Sequence, residues 1–62
     1  MRNVYMIACG DAYQRRIISP SPEWAIKTWL DEEGYDSIDQ AARENYCLVS
    51  EITALLLSTL EE

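Results

Sequence analysis

The chain has 62 residues, of which five are basic, eleven are acidic and none is histidine, so its formal net charge is −6. This length allows one small domain, expected over residues 1–62, and an apolar fraction of 48% argues against a disordered chain. The excess of acid disfavours direct binding to nucleic acid or to an anionic membrane, and neither a membrane-spanning apolar run nor a secretory signal is visible.

Residues 1–18 predict a β-hairpin. β-Branched, aromatic and apolar residues dominate positions 3–9 and recur in 12–18, and Gly10-Asp11 between them suits a two-residue turn. Alternate residues of the paired strands then share a face, and a shift of the pairing by one residue would exchange the two faces. The more apolar face is expected to lie toward the core, and its members are Val4, Met6, Ala8, Tyr13, Arg15 and Ile17.

Residues 21–34 predict a helix. Ser21 suits the N-cap and Pro22 suits the first helical position, where the missing N–H costs nothing. Gly34 suits a left-handed residue at the helix end. Apolar residues at helical spacing indicate the side that packs on the hairpin, and they are Ala25, Ile26, Trp29 and Leu30.

Residues 37–60 predict a second segment that is mainly helical. Ser37 and Gln40 match a capping box, and apolar residues recur at helical intervals as far as Leu60. Residues 46–49 are locally typical of a strand, so a short third strand near 46–50 is an alternative. The expected fold class is α+β, with an antiparallel hairpin packed on a helix and a second, mostly helical segment after it.

The residue types predict no enzyme. Without histidine, the Ser–His and Cys–His catalytic pairs and histidine-based metal sites are excluded, and no glycine-rich phosphate loop or EF-hand spacing is present. Neither a cofactor nor a metal is therefore expected. Cys9 and Cys47 are expected to be reduced thiols in a cytoplasmic protein, and a single disulfide between them is the alternative.

Charge is divided unevenly along the chain, with a net +2 over residues 1–30 and a net −8 over residues 31–62. Six acids within fourteen residues form what we call the acidic cluster: Asp31, Glu32, Glu33, Asp36, Asp39 and Glu44. Such a cluster is either a solvated helix end or a surface that imitates nucleic-acid phosphate and binds a groove lined by Lys and Arg. Trp24 and Tyr35 are the aromatic residues expected to add contacts to a partner.

In its size, its acidity and its lack of a catalytic residue set, the whole chain resembles small phage-encoded anti-defence proteins of the anti-CRISPR kind. Some proteins of that kind imitate DNA. The resemblance implies an inhibitor in the host cytoplasm whose partner is a basic protein or nucleoprotein complex, such as a nuclease or a CRISPR effector.

A homodimeric adaptor or regulatory protein, or an acidic antitoxin, is the alternative from another class. Three consecutive leucines favour it, because one face of a helix cannot bury all three against one surface. The dimer interface would then consist of Leu55, Leu56 and Leu57.

Overall fold

The computed structural model describes residues 2–60, which form a three-stranded antiparallel sheet with helices packed on one face. Its elements are β1 (Arg2–Cys9), β2 (Ala12–Ser19), α1 (Pro22–Glu33), α2 (Ile38–Glu44), a 3-10 turn (Val49–Glu51) and β3 (Ile52–Leu60). The strand order is β2-β1-β3, so β1 is central. The α+β class is confirmed. Residues 1, 61 and 62, which the predicted domain included, lie outside the described residues.

The predicted hairpin is present, but most of its register differs from the predicted one. Gly10 forms the turn with φ 61°, and the pairing next to the turn is the expected one. Beyond Ala8 a bulge leaves Gln14 without a partner on β1, so that Tyr5 pairs with Ile17. The β2 residues beyond the bulge change sides relative to β1, so Ile17 shares the core face with Tyr5, Ile7 and Cys9. Of the residues predicted for the core face, Ile17 and Ala8 are buried. The prediction is wrong for the other four, because Val4 and Met6 are only half buried and Tyr13 and Arg15 are exposed.

The core lies between the helices and this face of the sheet. Trp29 of α1 is its largest side chain and is 1% exposed. The ring of Tyr35 meets the Trp29 ring edge-on, with centroids 5.5 Å apart. α2 contributes only small side chains, Ala41 and Ala42, to the buried cluster. Their size allows the α2 backbone to approach the core closely.

The predicted ends of α1 are confirmed. The Ser21 hydroxyl accepts a hydrogen bond from the Trp24 backbone N–H at 3.2 Å, which satisfies one free donor of the first turn. Gly34 is left-handed with φ 82°, and the Tyr35 N–H donates to the Leu30 carbonyl at 2.9 Å. This closes the helix with a Schellman motif, and the chain can turn toward α2.

The prediction of a mainly helical segment over residues 37–60 is wrong. Ser37 does cap α2, but that helix is only seven residues long. The following residues form a turn and the 3-10 turn rather than the alternative strand near 46–50, and β3 occupies the leucine-rich segment. The reason is non-local: β3 pairs along the whole length of β1, and such pairing overrides a local preference for helix.

α2 ends in a strained way. Tyr46 is left-handed with φ 57°, a conformation that side chains other than glycine adopt at a cost. The Cys47 N–H donates to the Ala42 carbonyl at 2.9 Å, and the Tyr46 N–H donates to the Arg43 carbonyl at 3.3 Å. These bonds form the same motif that ends α1, but a tyrosine occupies the position that Gly34 occupies there.

Replacement Tyr46→Gly is expected to raise the free energy of unfolding by about 1 kcal/mol, because glycine adopts the left-handed conformation without strain. Urea denaturation measures the change. Tyr46→Ala is the control, since it removes the ring and keeps the strain, and it is expected to give no gain. Equal gains from both variants would mean that the ring, and not the backbone, is the cause.

Candidate functional site

The acidic cluster lies on the helices and the loop between them, and all six of its members are exposed. Asp31, Glu32 and Glu33 form the end of α1. Asp36 lies in the following loop, Asp39 in the first turn of α2, and Glu44 at the end of α2. The structure thus places the cluster at three helix termini and one loop of the helical layer.

One cation on the sheet partly neutralises the cluster. Arg15 of β2 contacts the Glu32 carboxylate at 3.1 Å and the Glu33 carboxylate at 3.0 Å. All three side chains are close to half exposed, so these pairs are screened by solvent and contribute little stability. Within residues 2–60 the carboxylates of Asp31 and Glu44 have no ion pair or hydrogen bond. Much of the negative charge of the cluster is therefore uncompensated.

The helix dipoles stabilise some of the carboxylates and destabilise others. Asp39 and Glu23 lie in first turns, where the positive end of the helix dipole favours them. Asp31 and its two neighbours lie at the negative end of α1, and the last turn of α1 has no basic residue. An unpaired carboxylate in this position, such as that of Asp31, costs about 0.3–1 kcal/mol at low salt, and the ion pairs with Arg15 offset part of this cost for Glu32 and Glu33. These residues break a local rule of stability at an exposed place, which is a feature of functional sites.

The predicted aromatic contacts differ in exposure. Tyr35 is half buried against Trp29, and its hydroxyl accepts a hydrogen bond from the Asn45 side chain at 3.3 Å. Tyr35 therefore serves the fold, and only the exposed part of its ring is left for a partner. Trp24 is 54% exposed, and the Lys27 ammonium lies 4.8 Å from its ring centroid.

Tyr46 is an exposed aromatic residue that the sequence did not single out. It is 97% exposed, and it projects from the strained turn after α2. Strained residues of this kind collect at functional positions. The sequence indicates the strained turn only indirectly. Helices commonly end at a left-handed glycine, and no glycine follows α2. Tyr46 is therefore added to Trp24 as a candidate contact.

A second exposed surface contains many apolar residues. The side of the sheet that faces away from the helices carries Val4 and Met6 of β1 together with the exposed Ile18 and Leu55, and Arg16 pairs with Met6 on the same side. The three consecutive leucines lie on β3 and not on a helix, as the dimer alternative assumed. Alternation and a bulge in β3 distribute them over both faces of this edge strand.

Within residues 2–60, no group of three or more His, Cys, Asp or Glu side chains is placed to hold a metal ion. None of the helices in that range combines the length and the apolar character needed to cross a membrane.

Comparisons with protein-family models, with curated proteins and with solved structures find no match to this chain.

The two cysteines are neighbours and free thiols. Cys9 is buried at the end of β1, and Cys47 is half buried after the turn that ends α2. Burial and, after it, the adjacent Cys47 thiol raise the pKa of the Cys9 thiol, a hydrogen bond with Gln14 lowers it, and the combined result is a pKa of about 11. Cys9 therefore remains protonated and weakly nucleophilic near neutral pH.

Iodoacetamide at pH 8 is expected to modify Cys47 well before Cys9, because the Cys9 thiol is both buried and protonated there. Mass spectrometry of peptides after timed labelling measures the two rates. Labelling in urea is the control, in which the two rates should converge. Faster modification of Cys9 in the folded protein would contradict the environment described for it.

Replacement Asp31→Lys is expected to raise the free energy of unfolding by about 0.5 kcal/mol at low salt, because it puts a cation at the negative end of α1. Glu23→Lys is the matched control at the other end of the same helix, and it is expected to lower that free energy by a similar amount. Urea denaturation of both variants measures the effects. A loss of stability in Asp31→Lys would mean that the fold needs this carboxylate.

Proposed function

We propose that this chain is a small acidic inhibitor that binds a basic, nucleic-acid-handling protein through the acidic cluster. The observation that carries the proposal is the end of α1, where three exposed acids oppose the helix dipole without a basic residue in that turn. The arrangement lowers the stability of the free protein, and a cationic partner surface would remove that cost.

The chemistry of the cluster favours a partner rich in Lys and Arg. Carboxylates accept charge-assisted hydrogen bonds from both side chains, and arginine can bind them through two parallel bonds. A groove that binds nucleic acid presents such cations in quantity. Occupation of that groove by the acidic cluster would exclude the phosphates, which is inhibition by imitation of the ligand.

Exposed aromatic side chains supply a contact that charge alone does not. Trp24 and Tyr46 have large apolar rings with a polar tip, the type enriched where proteins bind each other. Their exposure leaves these rings accessible to a partner. The partner class we infer is a nuclease or a guide-RNA complex in the cytoplasm, and a host cytoplasm if the chain is encoded by a phage.

Charge reversal tests this function. Tagged protein and the variant Asp31→Lys/Asp36→Lys are used to capture proteins from a bacterial lysate at low salt. The wild type is expected to retain a basic nucleic-acid-binding protein, and the variant is expected to lose it. Washing with about 0.5 M salt should also release that partner, because the Debye length then falls to a few Å.

The matched control is Asp11→Lys/Glu23→Lys, which changes the net charge by the same amount outside the cluster. Circular dichroism verifies that both variants fold. Retention of the partner by the control alone supports a site at the acidic cluster. Equal loss in both variants would show an effect of total charge, and equal retention would overturn the proposal.

A further inference from the structure

The outer edge of β3 is open. In the part of the chain that the structure describes, β3 pairs with β1 on one side, and no strand pairs with it on the other. Its nine residues include no charge and no proline. Its exposed leucines are Leu55 at 45%, Leu56 at 59% and Leu57 at 50%. An exposed, uncharged and apolar edge strand is a template for pairing with another strand.

The opposite edge of the sheet is protected. β2 carries Arg15 and Arg16, has a bulge at Gln14, and is followed directly by Pro20. Charged side chains, bulges and proline are the devices by which proteins prevent pairing at a sheet edge. Because β2 has these devices and β3 has no charge or proline, association is expected at one edge only.

A bulge in β3 limits the segment that is able to pair regularly. Leu57 is the extra residue, because Leu56 pairs with Tyr5 while Ser58 pairs with Val4. The five residues of Ile52–Leu56 pair with β1 without interruption. A bulge bends the strand that contains it, so this regular segment is the straight part of the open edge.

We propose that Ile52–Leu56 pairs antiparallel with the same segment of a second copy of this chain. The two-fold axis passes beside Ala54, whose small side chain faces its own equivalent across the axis. Ile52 then lies opposite Leu56 of the partner subunit, and Thr53 lies opposite Leu55 of the partner subunit. Each leucine is covered by a side chain of the other copy, and the two sheets become one sheet of six strands.

The sequence of the segment favours a second copy, because large apolar residues lie symmetrically on either side of the small Ala54 and the segment is therefore complementary to itself when it pairs antiparallel. The absence of charge in β3 permits this contact. The chain carries a net charge of −6, so most surfaces of two copies repel each other, whereas β3 brings no charges together along its length. A basic partner would gain no electrostatic attraction from this strand. The pairing is isologous, and the protected β2 edge stops it at two copies.

The size of the interface determines its strength. Five paired residues span about 17 Å, so the contact belongs to the small, weak class that buries less than about 1,200 Å² in total. The dimer is thus concentration-dependent. The inference is independent of the proposed function, because the acidic cluster lies on the helical layer and includes no residue of β3.

Sedimentation equilibrium of the wild type from about 10 μM to about 1 mM, a range in which weak contacts associate, is expected to show a monomer–dimer equilibrium. Leu56→Lys places a charge at the proposed edge and should weaken the dimer at least about tenfold. Ile18→Lys is the matched control, because Ile18 is 57% exposed against 59% for Leu56 and lies on the other edge strand.

Loss of the dimer in Leu56→Lys together with its retention in Ile18→Lys supports the proposal that the β3 edge forms the interface. The opposite result would place the interface on the open face of the sheet and would overturn the proposal, as would equal loss in both variants. A wild type that remains monomeric at every concentration also overturns it, and would leave the edge to a strand of another protein.

A second measurement does not depend on a folded variant. Amide signals of the wild type are followed by NMR on dilution, and the changes are expected to be largest in Ile52–Leu56. Changes confined to other residues would overturn the proposed pairing.

Discussion

The antiparallel pairing of β3 with β1 is the contact on which the rest of the molecule depends. The hairpin alone has two strands, and an isolated hairpin is at best marginally stable in water. The return of residues 52–60 makes β1 a central strand and widens the sheet on which α1 packs, with Trp29 buried in the shared core. It also forces α2 to end early, since the chain must reach the far edge of the sheet.

This arrangement separates two kinds of surface. Helices cover one face of the sheet, so the loops and helix ends that carry the acidic cluster lie on that side. β3 carries no charge, and the other face of the sheet carries Val4, Met6 and Ile18 beside Arg16. Two local rules are broken on the helical side: Asp31 opposes the dipole of α1, and Tyr46 occupies a position suited to glycine. Both side chains are exposed, so burial in the core does not offset the stability that each of them costs.

Local signals in the sequence predicted local structure. Ser21 and Ser37 cap the helices, Gly34 ends α1, and Gly10 forms the turn of the hairpin, because each of these roles depends on a few adjacent backbone groups. The acidic cluster is also visible in the sequence from its charges alone, and its exposure follows from the cost of burying carboxylates. These features needed no knowledge of distant residues.

Features that depend on distant residues were missed. The bulge at Gln14 has no glycine to mark it, yet it shifts the register so that Ile17 pairs with Tyr5 and not with Val4. The segment of three leucines has a strong helical preference, and only the unpaired side of β1 selects a strand for it. Tyr46 was missed because its exposure results from where α2 stops. The register of the hairpin, the strand at the leucines and the end of α2 depend on contacts between distant residues and not on local composition.

The two proposed associations respond to salt in opposite directions. A two-fold axis beside Ala54, perpendicular to the sheet, keeps both helical layers on one side, so a dimer would present two acidic clusters to the same partner. Two such clusters bind a repeated basic surface more tightly than one, through a higher effective concentration. Their mutual repulsion opposes the dimer, and salt screens that repulsion while it also screens the attraction to the partner. Dimerisation would therefore strengthen with salt as partner binding weakens, and the balance between the two sets the ionic strength at which a bivalent inhibitor works best.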